Sequence, residues 1–247
     1  MNEKNIFLYW DNKPGVKTPE YISMCQETIE KNKGDGIKLN IVNKNNITDY
    51  LDDLPVNLFK LKEIAHVADY VRIALLVRYG GIWLDSDCIL LKSLNPIFEK
   101  LKQYEYVGYS WKDLQPSLGF MASIKDCKFL SEHLFAIRKK IDRLTQFNNL
   151  RWQEFGYDSL WNITPKYRKD IFLYEHKYFS PIHFSKSVRS FLEYDSSESF
   201  NHCFSVMLFN KMFSHSNLSN LTKQEILKCN NLLSTLLKKA LKIENCI

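Results

Sequence analysis

Two carboxylates, Asp85 and Asp87, stand two residues apart directly after the short apolar run 82–84. Side chains at positions i and i+2 of a strand point the same way, so both carboxylates can face one site. Buried charges need partners or a metal, and hard carboxylate oxygens suit Mg²⁺ or Mn²⁺. Because such ions usually complete their shell with water and substrate phosphate, the pair predicts a cation that binds the diphosphate of a nucleotide-sugar. A solvated turn is the alternative that any such pair, taken alone, allows.

A second charged pair, Asp69 and Arg72, lies three residues apart on the helix that apolar spacing predicts over 64–79. A Gly-Gly step follows, and glycine commonly ends a helix in a left-handed turn. Since this helix leads directly to the two aspartates, we expect Asp69 to accept hydrogen bonds from sugar hydroxyls. Arg72 would order the site or contact the donor. A surface ion pair, which stabilises little, is the alternative.

The elements that must position these residues alternate between strand and helix patterns. Strands are predicted at 6–10, 37–41, 82–84, 106–110, 118–122, 171–174 and 204–208. Helices are predicted from Pro19 to the glycine at 34, at 48–54, 58–64 and 64–79, from Asn95, and at 129–144, 153–161 and 221–241, with a polar, Ser-rich stretch at 185–199. The opening strand–helix–strand order is typical of an α/β fold that binds nucleotides.

Length and composition indicate one globular domain over 1–247, with 221–247 as a C-terminal helical extension. Of the 247 residues, 45% are hydrophobic and 25% charged, which is an ordinary globular composition. The net charge of +6 is spread through the chain. Nucleic-acid binding would need a focused basic stripe or a recognisable module, so we expect no nucleic-acid partner.

The remaining composition signals concern the cellular compartment. The six cysteines are scattered without zinc spacing, so we expect reduced thiols in a cytoplasmic protein. No stretch has the length of a signal peptide or a membrane span. A peripheral contact with the inner face of a membrane is open, through the basic side chains of the C-terminal segment (Lys223, Lys228, Lys238, Lys239 and Lys242), although a solvated helix face is the default.

The stretch 68–94, ADYVRIALLVRYGGIWLDSDCILLKSL, closely resembles the DXD block of the family 32 glycosyltransferases. That group includes capsular polysaccharide synthesis proteins and α-1,4-galactosyltransferases. The (S/A)-D-x-x-R, G-G-(I/V)-(Y/W) and D-x-D motifs stand in the family's register. Weaker similarity covers the run 6–10, the segment 117–122, Gly156-Tyr157-Asp158 and the segment 178–182.

This resemblance implies a glycosyltransferase-A (GT-A) type fold with a Rossmann-like mixed central sheet flanked by helices. It implies a retaining transfer of a hexose or N-acetylhexosamine from a nucleotide-sugar, with UDP favoured, to a surface glycan such as capsule or lipopolysaccharide, or to a lipid-linked glycan. By resemblance Mn²⁺ or Mg²⁺ binds Asp85 and Asp87. The same resemblance assigns donor binding to Trp10, which stacks on the base, and to Asp69, Arg72, Asp85 and Ser86. Asp158 is a candidate for acceptor positioning or base duty.

One position departs from the family pattern. Where the family commonly reads Y-A-V-H-x-W-N, residues 204–210 read FSVMLFN, which places Met207 at the histidine. A thioether is a poor ligand for a hard cation. Either His202 or His215 substitutes, or the metal relies on two carboxylates, phosphate and water, or the enzyme is weakened or inactive.

Two rival functions follow from these motifs. Met207 keeps open a non-catalytic glycan- or nucleotide-binding protein on a degenerate transferase fold. A phosphatase of the haloacid dehalogenase type also places D-x-D after an apolar strand. Here, however, Ile89 stands two residues beyond Asp87, where that class needs Thr or Val. We therefore favour the transferase.

Overall fold

The computed structural model describes residues 3–12, 15–112, 115–148, 150–152, 154–193 and 200–243. Its internal contacts divide the chain into two units. The first unit comprises Met1–Asp11, Ile37–Leu84 and Pro96–Glu175, and the second comprises Asn12–Gly36, Asp85–Asn95 and His176–Ile247. The single domain over 1–247, with 221–247 as an extension, stays a prediction.

The strands in chain order are β1 (Lys4–Tyr9), β2 (Ile37–Val42), β3 (Gly81–Leu84), β4 (Cys88–Leu90), β5 (Tyr106–Ser110), β6 (Pro116–Ser123), β7 (Ile171–Glu175) and β8 (Ser205–Met207). The α-helices are α1 (Glu20–Asn32), α2 (Ile64–Tyr79), α3 (Asn95–Lys100), α4 (Lys128–Asp142), α5 (Tyr157–Ile163), α6 (Ser187–Leu192), α7 (Lys223–Lys228) and α8 (Leu232–Leu241). Short 3₁₀ helices occupy Ile47–Asp49, Leu58–Lys60, Thr164–Tyr167, His176–Tyr178, Phe184–Lys186, Asn210–His215 and Asn217–Asn220.

The first unit is built on a six-stranded mixed sheet in the order β2-β1-β3-β6-β5-β7. The pairs β1–β2, β1–β3 and β5–β7 are parallel, whereas β3–β6 and β5–β6 are antiparallel. Helices α2 and α5 pack on this sheet, and α4 packs on α2. The predicted α/β class with a mixed central sheet flanked by helices is confirmed.

Strands β1 and β3 lie side by side in the sheet, with Phe7 opposite Trp83. Because they are parallel, they end at the same edge, β1 at Tyr9 and β3 at Leu84. The next residue after β1 is Trp10, and the next after β3 is the first aspartate of D-x-D. Ligand sites of α/β sheets commonly lie at the carboxyl ends of strands, so a ligand site is expected at this edge.

Helix α2 is buried on nearly all sides, since every residue from His66 to Leu76 except Ala68 is buried. A helix that is covered all round belongs in a core, and charged side chains on it cannot rely on water. Both members of the Asp69–Arg72 pair lie on this covered stretch. The surface-pair alternative is therefore wrong, and each charge needs a partner within the protein.

The second unit pairs β4 with β8 antiparallel, with Cys88 opposite Met207. Side chains of α1 satisfy the other edge of β4. The Leu90 N–H donates to Thr28 Oγ1 at 3.0 Å, and Asn32 Nδ2 donates to the Leu90 carbonyl at 3.0 Å. An unpaired strand edge is costly when it is buried, so these side chains stand in for a third strand.

The structure corrects several predicted boundaries. The helix expected over 221–241 is wrong as a single element, because α7 ends at Lys228 and α8 begins at Leu232. The break lies at Asn231, whose side chain accepts a hydrogen bond from the Ser234 N–H at 2.9 Å, and asparagine is among the best residues at a helix start. Apolar spacing continues across this break, which explains the error.

The other corrections are smaller. The helix expected over 153–161 begins at Tyr157, and position 153 lies outside the described residues. The short helices expected at 48–54 and 58–64 shrink to 3₁₀ turns. The polar stretch 185–199 contains α6, and its residues 194–199 lie outside the described part of the chain.

Two glycines make the junction between α2 and β3. Gly80 and Gly81 both have positive φ, 67° and 102°. A Cβ on Gly80 would lie 2.6 Å from the Lys125 amide nitrogen, and one on Gly81 would lie 2.5 Å from the Asn5 carbonyl oxygen. Only glycine therefore fits, both for its conformational freedom and for the close approach of the backbones.

Gly81→Ala should lower the free energy of unfolding by about 1–3 kcal/mol more than Gly36→Ala, because overpacking adds to backbone strain. Gly36 is the matched control, since it also has positive φ (72°) but nothing lies within 4 Å of its added Cβ. Urea denaturation of both variants measures the difference. Equal losses would contradict the steric account of the junction.

Candidate functional site

The Asp69–Arg72 pair is buried inside the first unit. Asp69 is 8% exposed and Arg72 is 6% exposed. Arg72 Nη2 lies 3.3 Å from Asp69 Oδ1. Buried pairs of this kind hold their geometry tightly, because losing one partner leaves an uncompensated charge.

Arg72 is anchored by more than its carboxylate. Its Nη1 donates to the Leu118 carbonyl of β6 at 2.6 Å, and its guanidinium lies over the Trp83 ring at 5.0 Å from the centroid. Charge-assisted hydrogen bonds and cation–π contacts are strong when water is excluded. Arg72 therefore ties α2 to the two middle strands, β3 and β6, and orders this part of the sheet.

Gly156 places the start of α5 against Asp69. A Cβ at Gly156 would lie 3.4 Å from Asp69 Oδ2 and would collide with the Leu118 side chain. The Asp69 carboxylate thus contacts Arg72 through one oxygen and lies beside the Gly156 backbone with the other. The Gly156-Tyr157-Asp158 segment singled out from the sequence does lie next to the predicted sugar-binding aspartate.

Asp158, the candidate base, lies two residues further along in α5 and is half-buried. Its Oδ2 accepts a hydrogen bond from Arg151 Nη2 at 2.7 Å. One oxygen of this carboxylate is therefore engaged in a charge-assisted hydrogen bond. Its role in the reaction stays a prediction.

Trp10, the predicted base-stacking residue, is half-buried directly beyond β1. Its backbone N–H donates to the Val42 carbonyl of β2 at 3.0 Å, which continues the β1–β2 ladder by one residue. This hydrogen bond fixes the Trp10 backbone, from which the indole extends, at the edge of the sheet. Stacking on a nucleotide base stays a prediction.

His133 is a buried histidine in α4 that sequence reasoning missed. Its Nδ1 lies 2.8 Å from Ser159 Oγ on α5, while its Nε2 is buried without a hydrogen-bond partner. Burial lowers the pKa of His133 to about 3, and the positive charge of Arg72 acts in the same direction. The imidazole is neutral at pH 7 and links the two helices that lie beside the Asp69–Arg72 pair.

In the second unit, Asp87 is 8% exposed, Ser86 is buried and Asp85 is half-buried. The backbone of the chain beyond β8 holds Asp87 twice. The Asn210 N–H donates to Asp87 Oδ2 at 2.5 Å, and the Leu208 N–H donates to the Asp87 carbonyl at 3.0 Å. The Asp87 carboxylate is therefore buried with a fixed backbone donor.

Between these two donors the chain makes a strained turn. Phe209 is left-handed, with φ 63° and ψ 65°. That conformation is uncommon for a bulky residue and costs on the order of 1–3 kcal/mol. It turns the chain so that the amides on either side of Phe209 both reach Asp87. Such strain is often found where function requires a fixed geometry.

Tyr21 of α1 supports the same turn. Its hydroxyl donates to Asn210 Oδ1, and its ring is buried. Burial raises the pKa of Tyr21 well above its ordinary value, a hydrogen bond with Ser219 opposes this, and the charge of Asp87 adds to the rise. Tyr21 therefore stays protonated and keeps its donor.

The thiols of Cys25 and Cys88 are also affected by the charge of Asp87. Burial, reinforced by the charge of Asp87, raises the pKa of the Cys25 thiol well above its ordinary value and that of Cys88 to about 12. Both are neutral at pH 7. The five cysteines among the described residues are free, as expected, and Cys246 lies outside them.

Met207 and the two histidines proposed as a third metal ligand lie at separate positions. Met207 is buried in β8, opposite Cys88. His202 is exposed with Nε2 3.5 Å from Cys203 Sγ, and His215 is exposed at the end of a 3₁₀ turn. In the part of the chain that the structure describes, no three His, Cys, Asp or Glu side chains form a group that could hold a metal.

Sequence reasoning reached Asp87 but missed its supports, Tyr21 and Asn210. Asn210 carried a signal, because it ends the segment FSVMLFN that aligns with the family's Y-A-V-H-x-W-N. Tyr21 carried none, since it lies 189 positions from Asn210 and looks like an ordinary member of the apolar stripe of α1. The left-handed turn at Phe209 is also invisible in the sequence, where glycine or asparagine would be the usual indicator.

A family model described as "Capsular polysaccharide synthesis protein" matches residues 1–242, nearly the whole chain. The chain belongs to this family. The membership agrees with the resemblance seen in the stretch 68–94. Among curated proteins, the O-glycosyltransferase PaGT of Phomopsis amygdali is 38% identical over 50 residues, which is 19% of this chain and 12% of PaGT. The chain thus matches about an eighth of that relative's length.

Solved structures with a related arrangement are glycosyltransferases. The PaToxG glycosyltransferase is 14% identical, with a TM-score of 0.48 over 96% of this chain and 86% of that one. GlyE of Streptococcus pneumoniae TIGR4 is 12% identical, with a TM-score of 0.49 over 98% of this chain and 61% of that one. Because these TM-scores lie below 0.5, the likenesses decide neither the fold nor the activity.

Among the helices of the described ranges, none combines the length and the apolar character that crossing a membrane requires. Two of the basic side chains of the C-terminal segment have partners in the protein. Lys223 Nζ lies 2.5 Å from Glu27 Oε2, and Lys239 donates to Asn201 Oδ1. Contact of this segment with a membrane surface stays a prediction.

Arg72→Met should lower the free energy of unfolding by about 3–5 kcal/mol, because it removes the arginine that compensates the buried Asp69 carboxylate. Arg78→Met is the matched control, since Arg78 lies on the same helix but forms its ion pair with Asp52 in solvent. Urea denaturation should show a much smaller loss for the control. Equal losses of unfolding free energy would contradict the conclusion that burial makes the Asp69–Arg72 pair more important for stability than the exposed Arg78–Asp52 pair.

His133 should make the protein sensitive to mild acid. Its pKa in the folded state, about 3, lies below its value in the unfolded chain, about 6.5. Its contribution to stability is therefore complete above pH 6.5 and is lost as pH falls towards 3. The slope from this group approaches about 1.4 kcal/mol per pH unit. His133→Asn, which does not titrate, should flatten the dependence of unfolding free energy on pH between 6.5 and 5; an unchanged slope would contradict the assignment.

Proposed function

We propose that this protein is a metal-dependent, retaining glycosyltransferase of the GT-A type. It would transfer a hexose or N-acetylhexosamine from a nucleotide-sugar, with UDP as the favoured nucleotide, to a growing surface glycan such as capsule or lipopolysaccharide. The observation that carries the proposal is the buried Asp87 of the D-x-D motif, held by the Asn210 N–H in a chain that belongs to the capsular polysaccharide synthesis family.

The donor set at D-x-D fits a hard divalent cation. Asp87 and Asp85 offer carboxylate oxygens, the ligand type that Mg²⁺ and Mn²⁺ prefer, whereas the thiols of the neighbouring Cys25 and Cys88 are soft ligands that suit such ions poorly. Asp85 and Asp87 would hold the ion together with diphosphate oxygens and water. When bound, it would act as a Lewis acid for the charge on the departing diphosphate.

In the proposed reaction, the bond between the anomeric carbon and the diphosphate oxygen breaks, and its electron pair remains on the diphosphate. The acceptor hydroxyl forms the new bond on the same face of the sugar, and its proton passes to the departing diphosphate or to Asp158, the candidate base. No side chain of the protein forms a covalent bond with the sugar. The protein's contribution is to orient the donor and to stabilise charge.

The remaining donor assignments rest on the resemblance, and the buried geometry supports two of them. Asp69 is fixed by Arg72 and lies beside Gly156, so it could accept a hydroxyl hydrogen bond without moving. Arg72 is occupied by Asp69, Leu118 and Trp83, which favours an ordering role over direct contact with the donor. Trp10 would stack on the base, and Ser86 would join the donor set.

Met207 favours one alternative, a non-catalytic nucleotide- or glycan-binding protein on the same fold. Met207 replaces the family's histidine, and it is buried in β8. A thioether there would not ligate a hard cation. The two functions differ in turnover, because both bind a nucleotide but only the transferase breaks the sugar–phosphate bond.

The test is binding and hydrolysis of nucleotide-sugars with Mn²⁺. UDP-sugars should raise the melting temperature in the presence of Mn²⁺, since a ligand that binds only the folded state stabilises it. Asp85→Ala and Asp87→Ala should each weaken Mn²⁺-dependent UDP binding by more than about 100-fold, beyond the loss expected for a mere outer-shell contact. Hydrolysis should fall in parallel.

Asp35→Ala is the matched control, because Asp35 is an exposed carboxylate in the same unit. It should leave binding unchanged. Binding without any hydrolysis would support the non-catalytic alternative. If no nucleotide diphosphate binds in the presence of Mn²⁺, both functions are excluded.

A further inference from the structure

One chain of hydrogen bonds that reaches D-x-D starts on α1, far from the motif in sequence. The Tyr21 hydroxyl donates to Asn210 Oδ1, and the Asn210 N–H donates to Asp87 Oδ2 at 2.5 Å. We refer to these three residues as the Asp87 support. The Tyr21 ring is buried, packs 6.3 Å from the Phe213 ring and therefore cannot easily swing away.

We propose that Tyr21 and Asn210 are positioning residues that orient the Asp87 carboxylate for the divalent cation. This inference rests on the proposed function, because it concerns how the D-x-D site is held. A carboxylate fixed through Oδ2 by a backbone amide cannot rotate freely. That amide is in turn fixed by the hydrogen bond that the Tyr21 hydroxyl donates to the Asn210 side chain.

Met207 explains why such support would matter here. A metal shell with three protein ligands tolerates some disorder in any one of them, whereas a shell with two carboxylates depends on each. Hydrogen bonds that orient a metal ligand without contacting the metal commonly change metal affinity by about 10–100-fold. The support would thus compensate, through preorganisation, for the ligand that Met207 does not provide.

The backbone at Phe209 is the second element of this arrangement. Its left-handed conformation brings the Leu208 and Asn210 amides to the same aspartate. Any residue that adopts this conformation should preserve the support. Phe209→Gly should therefore keep Mn²⁺ affinity, whereas Phe209→Val, whose branched side chain disfavours the left-handed region, should reduce it.

The experiment measures the dissociation constant of Mn²⁺ in the presence of UDP, by electron paramagnetic resonance of free Mn²⁺. Tyr21→Phe removes one hydroxyl and should weaken Mn²⁺ binding by about 10-fold, and Asn210→Ala should weaken it as much. The double variant should lose little more than either single variant, because both residues act through the same carboxylate. Non-additivity of this kind is not expected from two independent packing defects.

Tyr79→Phe is the matched control, because the Tyr79 hydroxyl also donates one partly buried hydrogen bond, to the Tyr50 carbonyl at 2.7 Å. This bond lies within the first unit. The control variant should change Mn²⁺ affinity by less than about 2-fold while costing a similar loss of unfolding free energy. Circular dichroism at the assay temperature confirms that each variant is folded, and the Asn210 variant provides a second route if Tyr21→Phe is unstable.

The outcomes separate the two levels of the proposal. If wild type binds Mn²⁺ with UDP and Asp87→Ala abolishes binding, while Tyr21→Phe and Asn210→Ala bind like wild type, the positioning role is overturned and the proposed function stands. If wild type itself binds no Mn²⁺ with UDP, the proposed function fails and this inference fails with it.

Discussion

The cost of burying a carboxylate is the constraint on which the rest of this structure depends. Asp69 lies on a covered face of α2, and Asp87 lies buried directly beyond β3, so neither can rely on water. Each has a dedicated partner. Arg72 pairs with Asp69, and the Asn210 amide holds Asp87. An unpaired buried charge would cost several kcal/mol, comparable to the whole stability of many domains.

Much of the surrounding architecture can be understood as support for these partners. Arg72 contacts β6 through the Leu118 carbonyl and β3 through the Trp83 ring, so the ion pair and the sheet depend on each other. In the second unit, the strained turn at Phe209 supplies the amides that hold Asp87. Strain that is retained in a folded protein needs compensation from its surroundings, and the hydrogen bonds to Asp87 contribute it.

The sequence predicted the elements with strong periodicity and missed features that depend on distant contacts. The helix over 64–79, the strand at 106–110 and the Gly-Gly junction match the structure, because local apolar spacing and glycine determine them. The break between α7 and α8 was missed, since apolar spacing runs through it. D-x-D was identifiable from its motif, but Tyr21 was not, because its contact with Asn210 spans 189 positions and only folding brings the two together.

The central claim is that Asp85 and Asp87 hold a cation that binds the diphosphate of a nucleotide. The most direct measurement is anomalous X-ray diffraction near the manganese absorption edge, from crystals of the protein grown with Mn²⁺ and UDP. We expect one strong anomalous peak at the carboxylates of Asp85 and Asp87, in contact with the diphosphate oxygens. A bound UDP whose diphosphate lies away from these carboxylates, or a manganese peak elsewhere with none at D-x-D, would contradict it.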